Sequence, residues 1–372
     1  MPESGLIRVP GRVNLIGEHV DYHNLSVLPM ALDRRIKIEW QALPEPRIDA
    51  SSGSLDPRSF RIDQPLEPYP AGDWGNYVKA AANAALWKWK LPRGASLRIS
   101  ADLPPAAGLS SSSALLTACT LALLQANGIS ATFEELMEVL PEGEYFVGTR
   151  GGGMDHAAVL AARTGHALLI DFAPARATPI PMPAGWAFLV AHSLTHAEKS
   201  AAVREEYNER RWAGTRGLQA LGYSTFRDAL AAESVASLRA KAAPLPVRDR
   251  ECFLHVAEEA ARVHQAVDAM RAADHLRFGQ LLNDSHTSLR HQLRISTPSL
   301  DRLTQAARDS GALGARLTGA GFGGCAVVFC LEPQLPAVRA GIEARFYNGP
   351  AGDHILEARP SAGALELMPT TA

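Results

Sequence analysis

Pro10-Gly-Arg-Val-Asn-Leu-Ile-Gly-Glu-His-Val-Asp-Tyr22 sets Arg12, Asn14, Glu18, His19 and Asp21 within ten residues and threads Val13, Leu15 and Ile16 between them. Charges this dense beside aliphatic side chains are costly to bury without mutual pairing or a polar ligand. Glu18, His19 and Asp21 form a compact set of acceptors and donors suited to a polyol. The same residues would also serve in a solvated loop closed by an internal salt bridge. Spacing alone leaves both readings open.

Three further stretches carry chemistry. Leu103-Pro-Pro-Ala-Ala-Gly-Leu-Ser-Ser-Ser-Ser-Ala114 follows an alternating strand pattern at Ser96–Ala101 and opens the helical run Ala114–Gln125. Backbone N–H groups at a helix start face outward and favour anions. The Walker A lysine is absent, and a serine-rich cap is the competing reading. Gly314-Ala-Arg-Leu-Thr-Gly-Ala-Gly-Phe-Gly-Gly324 puts five glycines in eleven residues before the apolar run Cys325–Cys330. Such density permits close backbone approach, although taken alone a tight turn with a bulge explains it better. Gly151-Gly-Gly-Met-Asp-His156 places Asp155 before the helical run Ala157–Arg163. On spacing alone Asp155 reads as an N-cap, with a catalytic carboxylate as the alternative.

Working outward, Arg34–Trp40 alternates as a strand, and Asn76–Lys90 and Ala257–Ala272 carry apolar residues at helical spacing. Thr132 with Glu135 three residues later is a capping-box pattern opening a helix to Leu140. Ala167–Phe172 and Trp186–His192 read as short strands. The proline-rich stretch Pro174–Pro183 between them is the expected break and the natural domain boundary, giving domains 1–180 and 181–372. Strands and helices mixed in both halves predict α+β rather than a doubly wound sheet.

The bulk composition is that of an ordinary globular enzyme, with 47% hydrophobic and 20% charged residues in 372. A net charge of -2 gives no basic excess to draw nucleic acid. Four cysteines without a CxxC pair predict reduced thiols, no structural zinc and a cytoplasmic setting. The first dozen residues hold no apolar core of a signal peptide, and the longest apolar run, Ala114–Leu124, is too short for a bilayer, so no membrane association is expected.

Taken in order, these motifs resemble the GHMP kinases. Gly11–Tyr22 is similar to the galactokinase signature, Leu109–Ala114 to the family's phosphate loop, and Leu317–Gly324 to its third motif. Trp74-Gly-Asn-Tyr-Val-Lys79, Gly151–Asp155 and Tyr207-Asn-Glu-Arg-Arg211 extend the likeness over most of the chain. The resemblance is nearest to the branch that holds N-acetylgalactosamine kinase and fungal galactokinases.

The resemblance implies a two-domain fold, with an N-terminal domain like ribosomal protein S5 domain 2 and a ferredoxin-like C-terminal domain. It implies ATP-dependent phosphorylation of a sugar's anomeric hydroxyl, with galactose as the first candidate and Mg²⁺ as cofactor. Asp155 and Arg12 match the catalytic pair. Arg12, Glu18, His19, Asp21, Gly152, Asp155 and Tyr207 match sugar-contacting positions. Trp74, Tyr77, Gly108, Leu109, Ser110, Ser111, Ser112 and Ser113 match the nucleotide site, and Ser112 and Glu144 the metal contacts. A monomer is expected.

The sequence departs from the family pattern at Ala106 (usually glycine), Ser113 (usually alanine), His23-Asn24-Leu25 (often Asn-Asp-Gly) and His156 (usually glutamine). Two rival readings follow from the same likeness. One is a kinase for N-acetylgalactosamine or another sugar, although Glu18 would repel a uronate. The other is a regulatory protein that binds sugar and ATP without turnover.

Overall fold

The computed structural model describes residues 2–103, 109–148, 152–195 and 201–368. In chain order the elements begin with β1 (Ser4–Ile16), β2 (Leu28–Leu43), β3 (Arg47–Ser52), β4 (Leu55–Arg61), α1 (Gly75–Lys88), β5 (Gly94–Ala101), α2 (Ser111–Ala126), α3 (Phe133–Phe146) and α4 (Met154–Ala161). There follow β6 (His166–Asp171), β7 (Arg176–Pro181), β8 (Trp186–His192), α5 (Ala201–Ala220), α6 (Phe226–Ala232), α7 (Val235–Ala242) and α8 (Val247–Arg271). The chain closes with α9 (His275–Ser288), α10 (Pro298–Asp309), β9 (Gly314–Thr318), β10 (Cys325–Leu331), α11 (Leu335–Ile342), β11 (Ile355–Ala358) and α12 (Ala364–Leu367).

The first sheet runs β1-β2-β5-β3-β4, antiparallel except for the parallel β3/β5 pair. The aliphatic α2 packs on one face of it, and the alanine-rich α1 packs against α2 and α3. The pairing of β1 with β2 is irregular between Pro10 and Arg12 and again between Asn14 and Ile16. Bulges of this kind re-aim side chains beside active sites. Gly11 marks the first: a Cβ there would lie 2.3 Å from Leu103 Cδ2 and 2.9 Å from the Leu109 carbonyl. Only glycine lets the serine-rich segment come so close, and the Arg12 amide donates to the Leu109 carbonyl at 3.2 Å.

The second sheet runs β11-β8-β10-β9, all antiparallel. Counted within the sheet this is 4-1-3-2, with helices between its first and second and between its third and fourth strands, which is the ferredoxin-like order. One hydrophobic core runs through both sheets, joining Leu15 and Leu116 to Phe188, Phe278 and Val327. All four cysteines are free and buried. Among the described residues, no helix is long and apolar enough to cross a membrane.

The structure corrects one expectation about regular structure. The stretch Pro174–Pro183 is not a plain break, because it holds β7, paired with β6 from His166↔Pro181 to Asp171↔Arg176. Pro179 and Pro181 are tolerated because β7 has a single strand neighbour, so a missing N–H on its far side breaks no ladder. Thr132 and Glu135 make the expected reciprocal capping box at the start of α3.

After β11 the chain returns to the first half. Ser361 N donates to the Ala31 carbonyl at 3.0 Å, Gly363 N to Ala162 at 2.7 Å, and Gly165 N to Pro360 at 3.2 Å. A Cβ on Gly363 would lie 2.5 Å from the Leu160 carbonyl, so this return is pressed onto the end of α4. Arg35 Nη2 also donates to Ser361 Oγ at 2.8 Å.

Candidate active site

Arg12, Ser110 and Asp155 come from three elements and meet at one carboxylate. Arg12, 5% exposed on β1, reaches Asp155 Oδ1 through Nε at 2.8 Å and Nη2 at 2.6 Å. Ser110 Oγ donates to Asp155 Oδ2 at 2.6 Å. Burial pushes the Asp155 carboxyl up, but the Arg12 charge and the hydrogen bonds from Ser110 and Arg12 outweigh it and hold the carboxyl below its usual range. The N-cap of α4 is Gly153, and no side chain caps that helix. Asp155 is therefore in the first turn with its carboxylate spent across the chain, and the cap reading is overturned.

Ser110 adopts the left-handed conformation, φ 58°, and turns the chain into α2. This exposes the first N–H groups of the helix, and the hydroxyls of Ser111, Ser112 and Ser113 stand in its first turn. Leu109 is buried beneath this turn. Gly108 lies outside the described residues. Ser113 Oγ donates to Glu144 Oε1 at 2.6 Å and lies 3.5 Å from Asp155 Oδ2, so Glu144 and Asp155 flank one hydroxyl. His156, wholly buried, brings Nε2 to 3.4 Å from Glu144 Oε1. Ser113 and His156, two departures from the family pattern, are thus neighbours around a single carboxylate.

Glu144 meets Ser113 rather than Ser112, and among the described residues Ser112 engages no hydrogen-bond partner. Among the described residues no group of three or more acidic, histidine or cysteine side chains forms a ready cage for a metal ion. The donor set fits Mg²⁺ nonetheless, since this ion keeps waters and takes one or two carboxylates together with substrate phosphates. Among the described residues Glu144 Oε2, from the last turn of α3, and the Ser112 hydroxyl, in the first turn of α2, have no hydrogen-bond partner. Trp74 and Tyr77 flank the N-terminus of α1, where Trp74 Nε1 donates to the Asp56 carbonyl at 3.2 Å.

The charged residues of the N-terminal signature are buried, so the solvated-loop reading fails. Glu18 Oε1 accepts from Gly319 N at 2.7 Å and Thr318 Oγ1 at 3.2 Å, with Arg316 Nη2 at 3.5 Å. Burial raises the Glu18 carboxyl above its usual range against the pull of Arg316 and Arg12. The Gly-rich return is hence a partner of the signature rather than a bare turn. Arg316, fully buried, lay within that stretch without a role read from sequence; its Nη1 donates to the Asn14 carbonyl at 3.2 Å and to Leu15 at 2.9 Å.

His19 sits at φ 60° with Nε2 3.2 Å from the Ala320 carbonyl and Nδ1 2.9 Å from the Tyr22 hydroxyl. Burial and the nearby His255 lower its pKa to about 3, so the ring is neutral. A carbonyl only accepts, so Nε2 carries the proton and Tyr22 donates to Nδ1. The His19 ring stands 4.8 Å from that of Tyr207 on α5. His23, one of the departures, is packed between Tyr22 and Phe226.

Asp21 is 8% exposed, and burial, with the charges of Asp155 and Glu18, pushes its carboxyl up to about 7. Gly152 makes room for it: a Cβ at that position would lie 1.9 Å from Asp21 Oδ2. The sequence-predicted residues Arg12, Glu18, His19, Asp21, Gly152, Asp155 and Tyr207 thus gather around one region, with the serine-rich helix start opening beside it.

Known proteins resemble this chain along most of its length. The galactokinase galactose-binding signature matches residues 2–40, the GHMP kinases N terminal domain residues 76–163, and the GHMP kinases C terminal domain residues 266–348. A galactokinase of Roseiflexus sp. (strain RS-1) is 36% identical over 351 residues, 92% of this chain and 88% of that protein. The crystal structure of Lactococcus lactis galactokinase complexed with galactose superposes with a TM-score of 0.88 at 25% identity, covering 97% of this chain and 94% of that one. Methanococcus jannaschii mevalonate kinase shares the fold alone, with a TM-score of 0.68 at 19% identity over 96% of this chain and 98% of that one. With a galactose-binding signature, both GHMP kinase domains and a galactokinase relative matched along one chain, this protein belongs to the galactokinase family of the GHMP kinases.

Proposed function

We propose that this sugar kinase transfers the γ-phosphate of ATP to the anomeric hydroxyl of galactose, with Arg12 and Asp155 as its catalytic pair. The observation that carries the reading is the contact of Asp155 with Arg12 and Ser110, which joins the sugar signature to the start of the phosphate-binding helix. Phosphoryl transfer needs positioning and charge neutralisation more than covalent chemistry. Asp155, kept ionised by Arg12, orients the attacking hydroxyl and takes its proton as the new O–P bond forms and the γ-phosphorus bond to the β,γ-bridging oxygen breaks, releasing ADP. Arg12 then faces the oxygen on which negative charge develops. The free amides at the start of α2 receive the phosphates.

Glu144 and Ser112 would hold Mg²⁺, which would neutralise phosphate charge. Trp74 and Tyr77 would border the adenine. Glu18, His19, Asp21, Gly152 and Tyr207 would line the sugar. We assign domains 1–180 and 181–372, with this site between them, and a cytoplasmic monomer.

The test is ADP release with a panel of free sugars under one ATP and Mg²⁺ condition. A site built on buried hydroxyl partners rejects an epimer that leaves them unpaired, so kcat/KM for galactose should exceed that for glucose by roughly 10² or more. Equal rates on the two sugars would overturn the reading. A preference for N-acetylgalactosamine would change the substrate and keep the transfer, and binding without ADP release would make the protein a regulator.

A further inference from the structure

The turn that carries Glu18 and His19 is not self-supporting. Gly17 sits at φ 104° and His19 at φ 60°, and the backbone between β1 and β2 leaves its sheet there. Its polar groups find partners on α8 and at β9, more than 200 residues away. Glu259 Oε1 on α8 accepts from Gly17 N at 3.0 Å and Glu18 N at 3.4 Å. Ser285 Oγ on α9 donates to the same oxygen at 2.7 Å, and Arg262 Nε donates to Oε2 at 2.7 Å. One turn back along α8, His255 brings Nε2 to 3.0 Å from the Glu18 carbonyl and Nδ1 to 2.7 Å from Ser288 Oγ. Glu259 and His255 are both wholly buried.

We propose that Glu259 is a positioning residue for sugar recognition, whose buried carboxylate fixes the Gly17–His19 turn from the C-terminal half of the chain. The inference rests on the reading that Glu18, His19 and Asp21 meet the sugar. A carboxylate is suited to the task because it is acceptor-only and can gather several N–H groups at once. Burial raises the Glu259 carboxyl, but Arg262, His255 and Arg316 bring it down to about 2, so it stays an acceptor at any working pH. The hydrogen bonds of Glu259 and His255 run to the turn, to α9 and to Arg262, and none of these partners belongs to the serine-rich helix start. Loss of the clamp should therefore separate the two substrates, loosening the sugar site while leaving the nucleotide site as it was.

The experiment compares Glu259→Leu, Glu259→Gln and wild type by KM for galactose, KM for ATP and amide exchange of Gly17 and Glu18 in the sugar-free protein. Glu259→Leu removes the acceptor at similar volume and should raise the galactose KM roughly tenfold or more, because a loosened turn misplaces its hydroxyl partners. The ATP KM should stay within about twofold, and both amides should exchange faster by about tenfold or more, since a leucine side chain offers them no acceptor. Glu259→Gln keeps an acceptor and gives up the charge, so about a threefold rise is expected; it carries the test if the leucine variant does not fold. A folded variant with a lower Tm but an unchanged galactose KM would overturn the proposal, as would equal rises in both KM values. If wild type phosphorylates no sugar, it is the proposed activity that fails, and unchanged exchange at Gly17 and Glu18 would then sink the clamp by itself.

Discussion

Asp155 faces Arg12 at 2.6 Å and accepts from Ser110, all within the N-terminal half. Asp21, beside it, is buried against Gly152 and feels the like charges of Asp155 and Glu18. One carboxyl is held below its usual range and the other is pushed up to about 7. Two groups of one type are thereby driven apart, the pattern by which a site divides labour between carboxylates. Asp155 is held ionised at all working pH values, beside the serine-rich helix start. Asp21 keeps its proton below about pH 7 and loses it above, so its charge depends on pH in the range where that of Asp155 does not.

The largest expected effect removes one side of this contrast. Asp155→Asn keeps the shape but not the charge, and kcat should fall by roughly 10²–10⁴-fold, the range for groups acting in proton transfer. Galactose affinity, measured by equilibrium binding, should change little. A variant retaining more than about a tenth of wild-type kcat would reduce Asp155 to a structural ion-pair partner.

A smaller effect sharpens the other side. If the sugar donates a hydrogen bond to ionised Asp21, binding must release the proton that the free protein holds below pH 7. The galactose KM should then rise by up to about tenfold between pH 7.5 and pH 6, and the rise should vanish in Asp21→Asn. A flat wild-type profile would mean that Asp21 binds the sugar protonated or not at all.

The smallest effect is on stability. The Asp21 carboxyl binds its proton more tightly in the folded than in the unfolded chain. Its contribution is therefore fully present below about pH 4 and lost as pH rises through about 7. Asp21→Asn should accordingly raise Tm by a few degrees, about 2–5 °C, at pH 8 and by only about a quarter as much at pH 4.5, as read by thermal unfolding in both buffers. Equal shifts at the two pH values would show that packing, not ionisation, governs that position.

Much of this arrangement is legible in the sequence, and the limits have physical causes. Alternation at Arg34–Trp40 and helical spacing at Ala257–Ala272 fall on the elements they predict, β2 and α8. These signals are local, set by burial of one face. The Asp155 reading from spacing favoured a cap because the competing partner, Arg12, is 143 positions away. Glu259 escaped for the same reason: in a helix with Glu258 beside it, nothing local marks which carboxylate turns inward. The proline-rich segment misled because prolines forbid only a central strand, and sequence does not say which strand is at an edge. Only the family resemblance, which carries information about distant contacts, assembled the signature, the serine-rich helix start and Asp155 into one site.

The last described segment of the chain has a bearing on biosynthesis. Ser361 and Gly363 hydrogen-bond to Ala31 and Ala162, closing over the end of the helix that carries Asp155. A ribosome releases residue 162 roughly two hundred codons before residue 363. The first half therefore cannot be completed as it emerges, in the N-to-C order in which domains generally fold. Until residue 363 has been made, the helix that carries Asp155 lacks its cover, so that helix is among the last parts of the first half to find all its partners.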